Sequence, residues 1–519
     1  MSSPAIDPRT PVLVGCGQIT DTESPPSSAR SPSAFVAEAA RLALADARPA
    51  AGVEALAARL ESVSVMRFFS DSSPRFVQPH GRSSNPPRSV ARLLGASAAR
   101  EFVYTEVGGN MPQYLVNESA ERIARGELEV ALIAGGELLR SAQIAQRQGL
   151  TLDWHDDPGG EPVSKGDTRL GWSEEEARHN LRAAIWMYPL LENTIRGDRG
   201  ATPEDHLQSM ARLFARFAAV ARDNPLATRR EGYDAQTLAR VDAKNRYIAW
   251  PYPRLMNSNA FVDQSSAVIM VSTALADALG IPQDRRVYLH GCADAADIWT
   301  VSERAELHRS PAIRGCSKLA LSMAGIGLDD IAAFDIYSCF PSAVEVACRE
   351  TGLSEDDPRG LTVTGGLPYF GGPGNNYVTH SIAQMMDTVR ARPGSYGMVT
   401  GNGSYLTKHS TGIYSTRPNR GRWEREDPAR LQAEMDAGPS VRVETAPSGP
   451  AVIETYTVTY TGETPSGGFV FGRLPNGNRF VSTVPADPAL LADMVARDQL
   501  GRPGTVEATP KGNVFTPGG

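Results

Sequence analysis

The sequence predicts an α/β fold of two similar halves, interrupted by a helical insertion and followed by a small antiparallel β-barrel. Three observations carry this prediction. Short apolar runs that end on glycine alternate with helical periodicities, and the same succession occurs twice. Beyond Gly438 the period switches to alternating strands joined by turns such as Pro475-Asn476-Gly477-Asn478. At 519 residues the chain is also too long for one ordinary core, so two or three compact units are expected.

The first half, residues 1–140, opens with an apolar strand at 11–17 that ends in glycine, then a helix at 34–45 with alanine and leucine on one face. A second strand is expected at 63–69, a polar loop rich in Pro, Ser and Arg at 70–88, and a helix at 87–94. Residues 101–112 read as a strand running into a Gly108-Gly109 turn, followed by a helix at 113–125 and a glycine-closed strand at 130–137. Residues 141–252 form an insertion, acidic and then helical, whose stripe Leu207, Met210, Leu213 and Phe214 marks a helix at 203–223. Such an insertion usually serves as a lid or binding wall. Residues 253–280 complete the first half, and 281–438 form the second. There a helix follows Phe340, another spans 378–392 after the glycine-rich run 365–374, and a strand at 395–403 closes on Gly401-Asn402-Gly403. The barrel, 439–519, is expected from strands at 441–444, 452–460, 468–473, 479–483 and 504–508, with one helix at 488–497.

A net charge of −7 gives no basic footprint for nucleic acid or an anionic membrane surface. No apolar run approaches the ~18 residues of a membrane span, and the polar segment 1–9 lacks the apolar core of an export signal. Cys16, Cys292, Cys316, Cys339 and Cys348 are odd in number and lack paired metal spacing. Reduced thiols in the cytoplasm are expected, with no metal site and no bound cofactor.

The candidate centre is Asp335-Ile336-Tyr337-Ser338-Cys339-Phe340-Pro341-Ser342. An apolar strand ends there, and Pro341 suits the first turn of a helix continued by Ala343, Val344, Val346 and Ala347. A strand-to-helix turn of this kind delivers side chains and free N–H groups to the crevice beyond the strand ends. Tyr337 reads either as a general acid/base or oxyanion donor, or as a core aromatic whose OH satisfies a carbonyl. A helix N-terminus lowers the pKa of a thiol such as Cys339, yet Cys339 also reads as a small buried hydrophobe. His380 either reaches back to the crevice or packs within its helix, and His409 is equally open.

Residues 9–440 resemble the thiolase superfamily, nearest its sterol-carrier-protein type. Glu121-Arg-Ile-Ala-Arg-Gly126 and Ala134-Gly-Gly-Glu137 are similar to the helix and strand that follow the family's nucleophilic cysteine. The run from Met256 to Met270, MNSNAFVDQSSAVIM, resembles the family's stretch beside coenzyme A, and residues 329–340 correspond to its "his-asp-cys-phe" or "asn-glu-ala-phe" segment. The resemblance implies a duplicated thiolase fold: two βαβαβαββ halves in five αβαβα layers, here with an added OB-like barrel. It implies CoA or an acyl-CoA thioester as substrate or ligand. It also sets Gly109 at the nucleophile's place, Gly372 at the histidine's, Gly401 at the second cysteine's and Tyr337 at the asparagine or histidine position.

Asn110, Asn257, Ser258, Asn375, Asn376, Asn402 and His409 are the implied substrate-binding residues, although Asn375 and Asn376 also suit a simple turn. Arg82, Arg88, Arg140 and Arg147 either meet the coenzyme's phosphates or are solvated surface charges. A glycine cannot be acylated. The expected function is therefore CoA-thioester binding in lipid or fatty-acid metabolism without classical thiolase activity, with Tyr337, Cys339 and His380 as the remaining catalytic candidates. Tyrosine-based C–C chemistry of retro-aldol or acyltransferase type, a non-catalytic acyl-CoA or lipid binder, a docking subunit and a residual acetyl-CoA acetyltransferase are the alternatives. A monomer or dimer is expected, with a protein partner conceivable through the barrel.

Overall fold

A computed structural model describes residues 6–73, 76 and 79–518 of the protein. Residues 1–5, 519 and four positions of the loop expected at 70–88 lie outside the described residues. The first half contributes β1 (Pro11–Thr20), β2 (Ser62–Val65), β3 (Glu101–Thr105) and β4 (Val130–Leu138). The insertion adds β5 (Val163–Lys165), β6 (Tyr247–Ala249) and β7 (Tyr252–Pro253), after which β8 (Asp263–Ser272) returns to the first half. The second half holds β9 (Val287–Ala296), β10 (Ile331–Asp335), β11 (Tyr396–Gly403) and β12 (Lys408–Ser415). The C-terminal region holds β13 (Ser448–Thr461), β14 (Thr464–Arg473), β15 (Arg479–Thr483), β16 (Pro503–Thr509) and β17 (Gly512–Pro517).

The two halves repeat one pattern. In the first, the order is β3-β2-β4-β8-β1; in the second it is β10-β11-β12-β9. β2 runs parallel to β4 as β10 does to β11, and the remaining neighbours in both halves are antiparallel apart from β2 with β3. The halves join where Val12 and Leu13 of β1 face Tyr288 and Val287 of β9. A β-carbon on Gly15 would stand 2.0 Å from the Ala43 carbonyl oxygen, and one on Gly291 would stand 1.9 Å from that of Ala320. Each half thus lays its first helix, Pro32–Asp46 or Pro311–Ala324, directly on the backbone of its first strand. The helices Met111–Arg125 and Tyr377–Ala391 lie between the two halves of the ten-stranded sheet and touch strands of each. Five αβαβα layers result, with the main core between the sheet halves around Val116, Phe334, Ile382 and Met398.

Some elements differ from expectation. β2 stops at Val65 rather than reaching 69, because the Arg67 N–H leaves the ladder for Thr105 Oγ1 at 3.0 Å. In the second half no regular strand flanks β10 where β3 flanks β2. Instead irregular residues run there, and the Ile336 N–H donates to the Leu361 carbonyl at 2.9 Å. The buried Asp335 carboxylate organises this segment, accepting from the N–H groups of Val363 and Thr364 and from the hydroxyls of Thr362 and Ser381.

The insertion carries two consecutive helices, Ala184–Arg199 and Pro203–Asp223. Met210, Leu213 and Phe214 of the predicted stripe are buried, and Leu207 packs partly against the core. β5 lies on the outer edge of β3, in register from Val103–Val163 to Thr105–Lys165. The C-terminal strands close into a barrel in the order β14-β15-β17-β16-β13, sealed by β13–β14. No strand forms at 441–444. Its N–H groups are drawn to the Glu303 and Arg479 carbonyls, and Val443 makes a single bridge. β17 takes the place of that strand as the fifth stave. Ala249 of β6 pairs with Thr459 of β13, so the insertion extends the barrel sheet.

Candidate active site

β10 ends at Asp335 and the helix Pro341–Thr351 begins after Phe340, so the Tyr337-Ser338-Cys339 turn sits where the sequence pattern set it. Both halves hold it. The Tyr337 N–H donates to Thr400 Oγ1 at 3.0 Å, the Cys339 carbonyl accepts from the Ser258 N–H at 3.0 Å, and Ser338 Oγ accepts from the Leu367 N–H at 3.3 Å. The Tyr337 ring meets Tyr377 edge-on at 5.7 Å.

The glycines expected at this centre flank the turn. A β-carbon on Gly109 would lie 2.3 Å from the Tyr337 hydroxyl and 2.6 Å from the Asn402 carbonyl oxygen, so the phenol occupies the volume a side chain at 109 would need. A β-carbon on Gly401 would lie 2.9 Å from the Asn110 Cα, and one on Gly372 would lie 2.4 Å from Ser258 Oγ. Gly109 therefore meets the turn through the phenol, and Gly372 meets it through Ser258. Asn375 ties the first of these turns in place, its Oδ1 accepting from the Gly108 N–H at 2.9 Å while its Nδ2 donates to the Arg67 carbonyl at 2.8 Å. Asn376 Oδ1 accepts from the Thr379 hydroxyl at 2.7 Å, and Asn257 Nδ2 donates to the Pro253 carbonyl. The side-chain NH2 groups of Asn110 and Asn402 are also spent, on Ser410 Oγ and the Tyr188 hydroxyl. Their Oδ1 atoms are buried without partners.

A cavity of about 10 Å³ remains at the centre, lined by Tyr337, Thr400, Asn402, Leu406 and His409 among others. That is room for about one water. His409 Nε2 faces Asp297 Oδ2 at 3.2 Å, and both residues are buried. Burial would raise the Asp297 carboxyl, but the hydrogen bond and charge of His409, with Arg304 and Ser310, hold it below the usual carboxylate range. The structure thus joins Tyr337 to a carboxylate–imidazole pair of which the sequence flagged only the imidazole. Asp297 carried one signal, a charge closing an apolar strand. Two other neighbours carried none. Lys408 presses its ammonium on the Val107 carbonyl beside the Gly108 turn, and Tyr188 arrives from the insertion to bond Asn402, Ser404 and Leu406.

Burial pushes the Tyr337 phenol far above its ordinary range, with Cys339 adding to it. Burial also pushes the Cys339 thiol up to about 12, so the lowering expected of a helix N-terminus does not prevail. His380 is wholly buried against Phe370, its Nδ1 2.8 Å from Gln18 Oε1, and burial depresses it to about 3, so it stays neutral. It does not line the cavity. Arg140 and Arg88 are engaged internally, by Asp263 and the Gly159 carbonyl. Beyond the Gly374–Asn375 corner a larger cavity of about 230 Å³ is lined by Phe68, Leu138, Trp154 and Phe261, with Glu137 on its wall. Among side chains that could hold a metal ion, Glu192, His206 and Glu345 cluster away from this centre.

Two pseudo-equivalent halves, central helices and glycine corners around one strand-to-helix turn define a thiolase-like protein. The crystal structure of a monomeric SCP2-thiolase-like protein type 1 from Mycobacterium smegmatis is 38% identical, covers 99% of this chain and all of that one, and superposes with a TM-score of 0.83. The family described as the thiolase-like protein type 1 additional C-terminal domain matches residues 430–511. The chain belongs to the SCP2-thiolase-like type 1 family, with its added C-terminal domain. An Ltp2–ChsH2 aldolase structure shares the fold at 20% identity, covering 79% of this chain and 98% of that one, with a TM-score of 0.55. A 3-ketoacyl-CoA thiolase of Yersinia pestis is 29% identical over 159 residues, which is 28% of this chain and 34% of that enzyme. The match thus spans about a third of the curated relative's length.

Proposed function

We propose that this protein binds CoA or acyl-CoA thioesters on a thiolase scaffold and lacks classical thiolase activity. The observation that carries this is the Tyr337 phenol seated where a side chain at 109 would project, 2.3 Å from that β-carbon. A covalent acyl carrier needs an ionised nucleophile in that space. The thiol two residues from Tyr337, Cys339, is instead kept protonated by burial. Room for an acyl or pantetheine group is available in the cavity beside Glu137. Acetoacetyl-CoA thiolysis should stay at background, whereas calorimetry with CoA and long-chain acyl-CoA should give binding heat. Thiolysis at an enzymatic rate would overturn the first half of the proposal, and absence of heat the second.

A second activity is favoured by the small cavity that Tyr337 shares with His409, whose imidazole faces Asp297, a cavity that must open to admit a thioester. The phenol and imidazole suit retro-aldol cleavage of a 3-hydroxyacyl-CoA. A base takes the 3-hydroxyl proton, the Cα–Cβ bond breaks to leave a carbonyl on C3, and a donor holds the enolate oxygen until carbon is reprotonated. The Ltp2–ChsH2 aldolase, which shares the fold, is the reason retro-aldol chemistry is considered. Turnover of a 3-hydroxyacyl-CoA should fall at least a hundredfold in Tyr337→Phe and His409→Asn. Equal turnover in all three proteins removes both residues from the chemistry. Free, buried cysteines fit a reducing cytoplasm, and a covered β3 edge fits a monomer.

A further inference from the structure

Behind the Tyr337 turn, three buried titratable side chains meet that neither activity uses. Glu192 lies on the helix Ala184–Arg199, His206 on Pro203–Asp223 and Glu345 on Pro341–Thr351, and each is at most 1% exposed. One imidazole nitrogen and one oxygen from each carboxylate lie within 4.8 Å of one another. Their surroundings satisfy only some of the donors. Tyr252 donates to Glu192 Oε2 at 2.6 Å, Arg199 donates to Glu345 Oε1 at 3.1 Å, and His206 Nε2 meets Glu192 Oε1. Arg199 is shared with a further carboxylate, Glu355. Glu345 Oε2 and His206 Nδ1 are buried with no hydrogen-bond partner. Two buried carboxyls that face each other and an imidazole, with one arginine divided between two acids, need a cation or a shared proton between them.

We infer that Glu192, His206 and Glu345 bind one divalent transition-metal ion between the two insertion helices and the helix that follows the Tyr337 turn. One nitrogen and two carboxylate oxygens suit zinc, manganese or iron(II), whereas calcium and magnesium favour all-oxygen sets. Metal–donor distances of about 2.0–2.2 Å place donors roughly 3–3.5 Å from one another, so the His206–Glu192 pair, now in direct hydrogen-bond contact, would part slightly to admit the ion. The ion would be structural rather than catalytic. Tyr188, one helical turn before Glu192, stacks on Phe340 at 4.4 Å, and Ser342 shares the Tyr252 hydroxyl with Glu192. The ion would therefore pin the wall of the Tyr337 cavity from behind, and it stands whether or not a thioester binds in front.

The competing occupant is a proton shared by the two carboxyls. Full-length protein purified without chelator or polyhistidine tag would be assayed for metal by mass spectrometry. Chelator-stripped protein would then be titrated with Co²⁺ while its visible spectrum and Tm are followed. One equivalent of metal, a visible cobalt band displaced by Zn²⁺ and a raised Tm are expected, all lost in Glu345→Gln and His206→Gln. A shared proton predicts the reverse. Glu345→Gln would keep the hydrogen bond and match or exceed the wild-type Tm, and cobalt would produce neither band nor shift, which overturns the proposal. The wild-type titration decides the matter even if a variant fails to fold.

Discussion

Gly109 and Tyr337 share one volume, so a change at either is felt at the other. Cysteine at 109 would bring its β-carbon 2.3 Å from the phenol oxygen and 2.6 Å from the Asn402 carbonyl. Gly109→Cys alone should cost about 1–3 kcal/mol by overpacking and should not bring thiolysis with it. Adding Tyr337→Ala should recover part of that loss, and urea unfolding of the single and double variants measures the coupling. Glu137 gives a prediction in pH. Its carboxyl is buried and accepts from the Phe69 N–H at 2.6 Å, and burial raises it to about 8. The folded state then holds a proton that the unfolded state releases near 4.5. Glu137 thus stabilises fully at acid pH, and its contribution fades as pH rises from there to about 8, by about 1.4 kcal/mol per pH unit at most. Glu137→Gln should show a shallower fall over that window in denaturation from pH 5 to 8, and parallel curves would refute the assignment.

Between β11 and β12 the chain makes a strained corner, with Ser404 at φ 59° and Leu406 at φ 52°. The Tyr188 hydroxyl holds it, bonding the Ser404 carbonyl at 3.2 Å, the Leu406 N–H at 3.2 Å and Asn402 Nδ2 at 2.9 Å. Tyr188→Phe should therefore cost about 1–3 kcal/mol and speed amide exchange at residues 404–407. Elements with a strong local signature were legible beforehand. The helix Pro203–Asp223 follows from its apolar stripe, and the Tyr337 turn from an apolar run meeting Pro341. Short pieces were not legible. β5 and β17 have three and six residues, and only a partner strand makes them strands. The site was half legible for the same reason. Register, not local pattern, sets Asn402 opposite His409, and Lys408 opposite Ala296, the residue before Asp297.

At the scale of the molecule, β5 covers β3 and becomes the outermost strand itself, so the sheet presents there an edge of only three residues to a second copy. Light scattering should find a monomer, and deletion of residues 160–168 should increase self-association. The barrel is equally committed. Arg196, 1% exposed, pairs with Asp498, and Arg479 donates to the Ser302 and Arg304 carbonyls. Asn193 and Leu190 bond Tyr456 and Thr455 of β13. Truncation at Gly438 would strip these buried groups of partners, so the shortened chain should lose several degrees of Tm or fail to fold, while the intact protein melts in one transition.

The single rung between Ala249 and Thr459 also sets a rule for inheritance and motion. Because the barrel sheet continues into the insertion at this rung, a lid role for the insertion would require the two to travel as one piece. Any opening of such a lid must swing the barrel with it, and a functional graft into another scaffold must transplant residues 141–252 and 439–518 together.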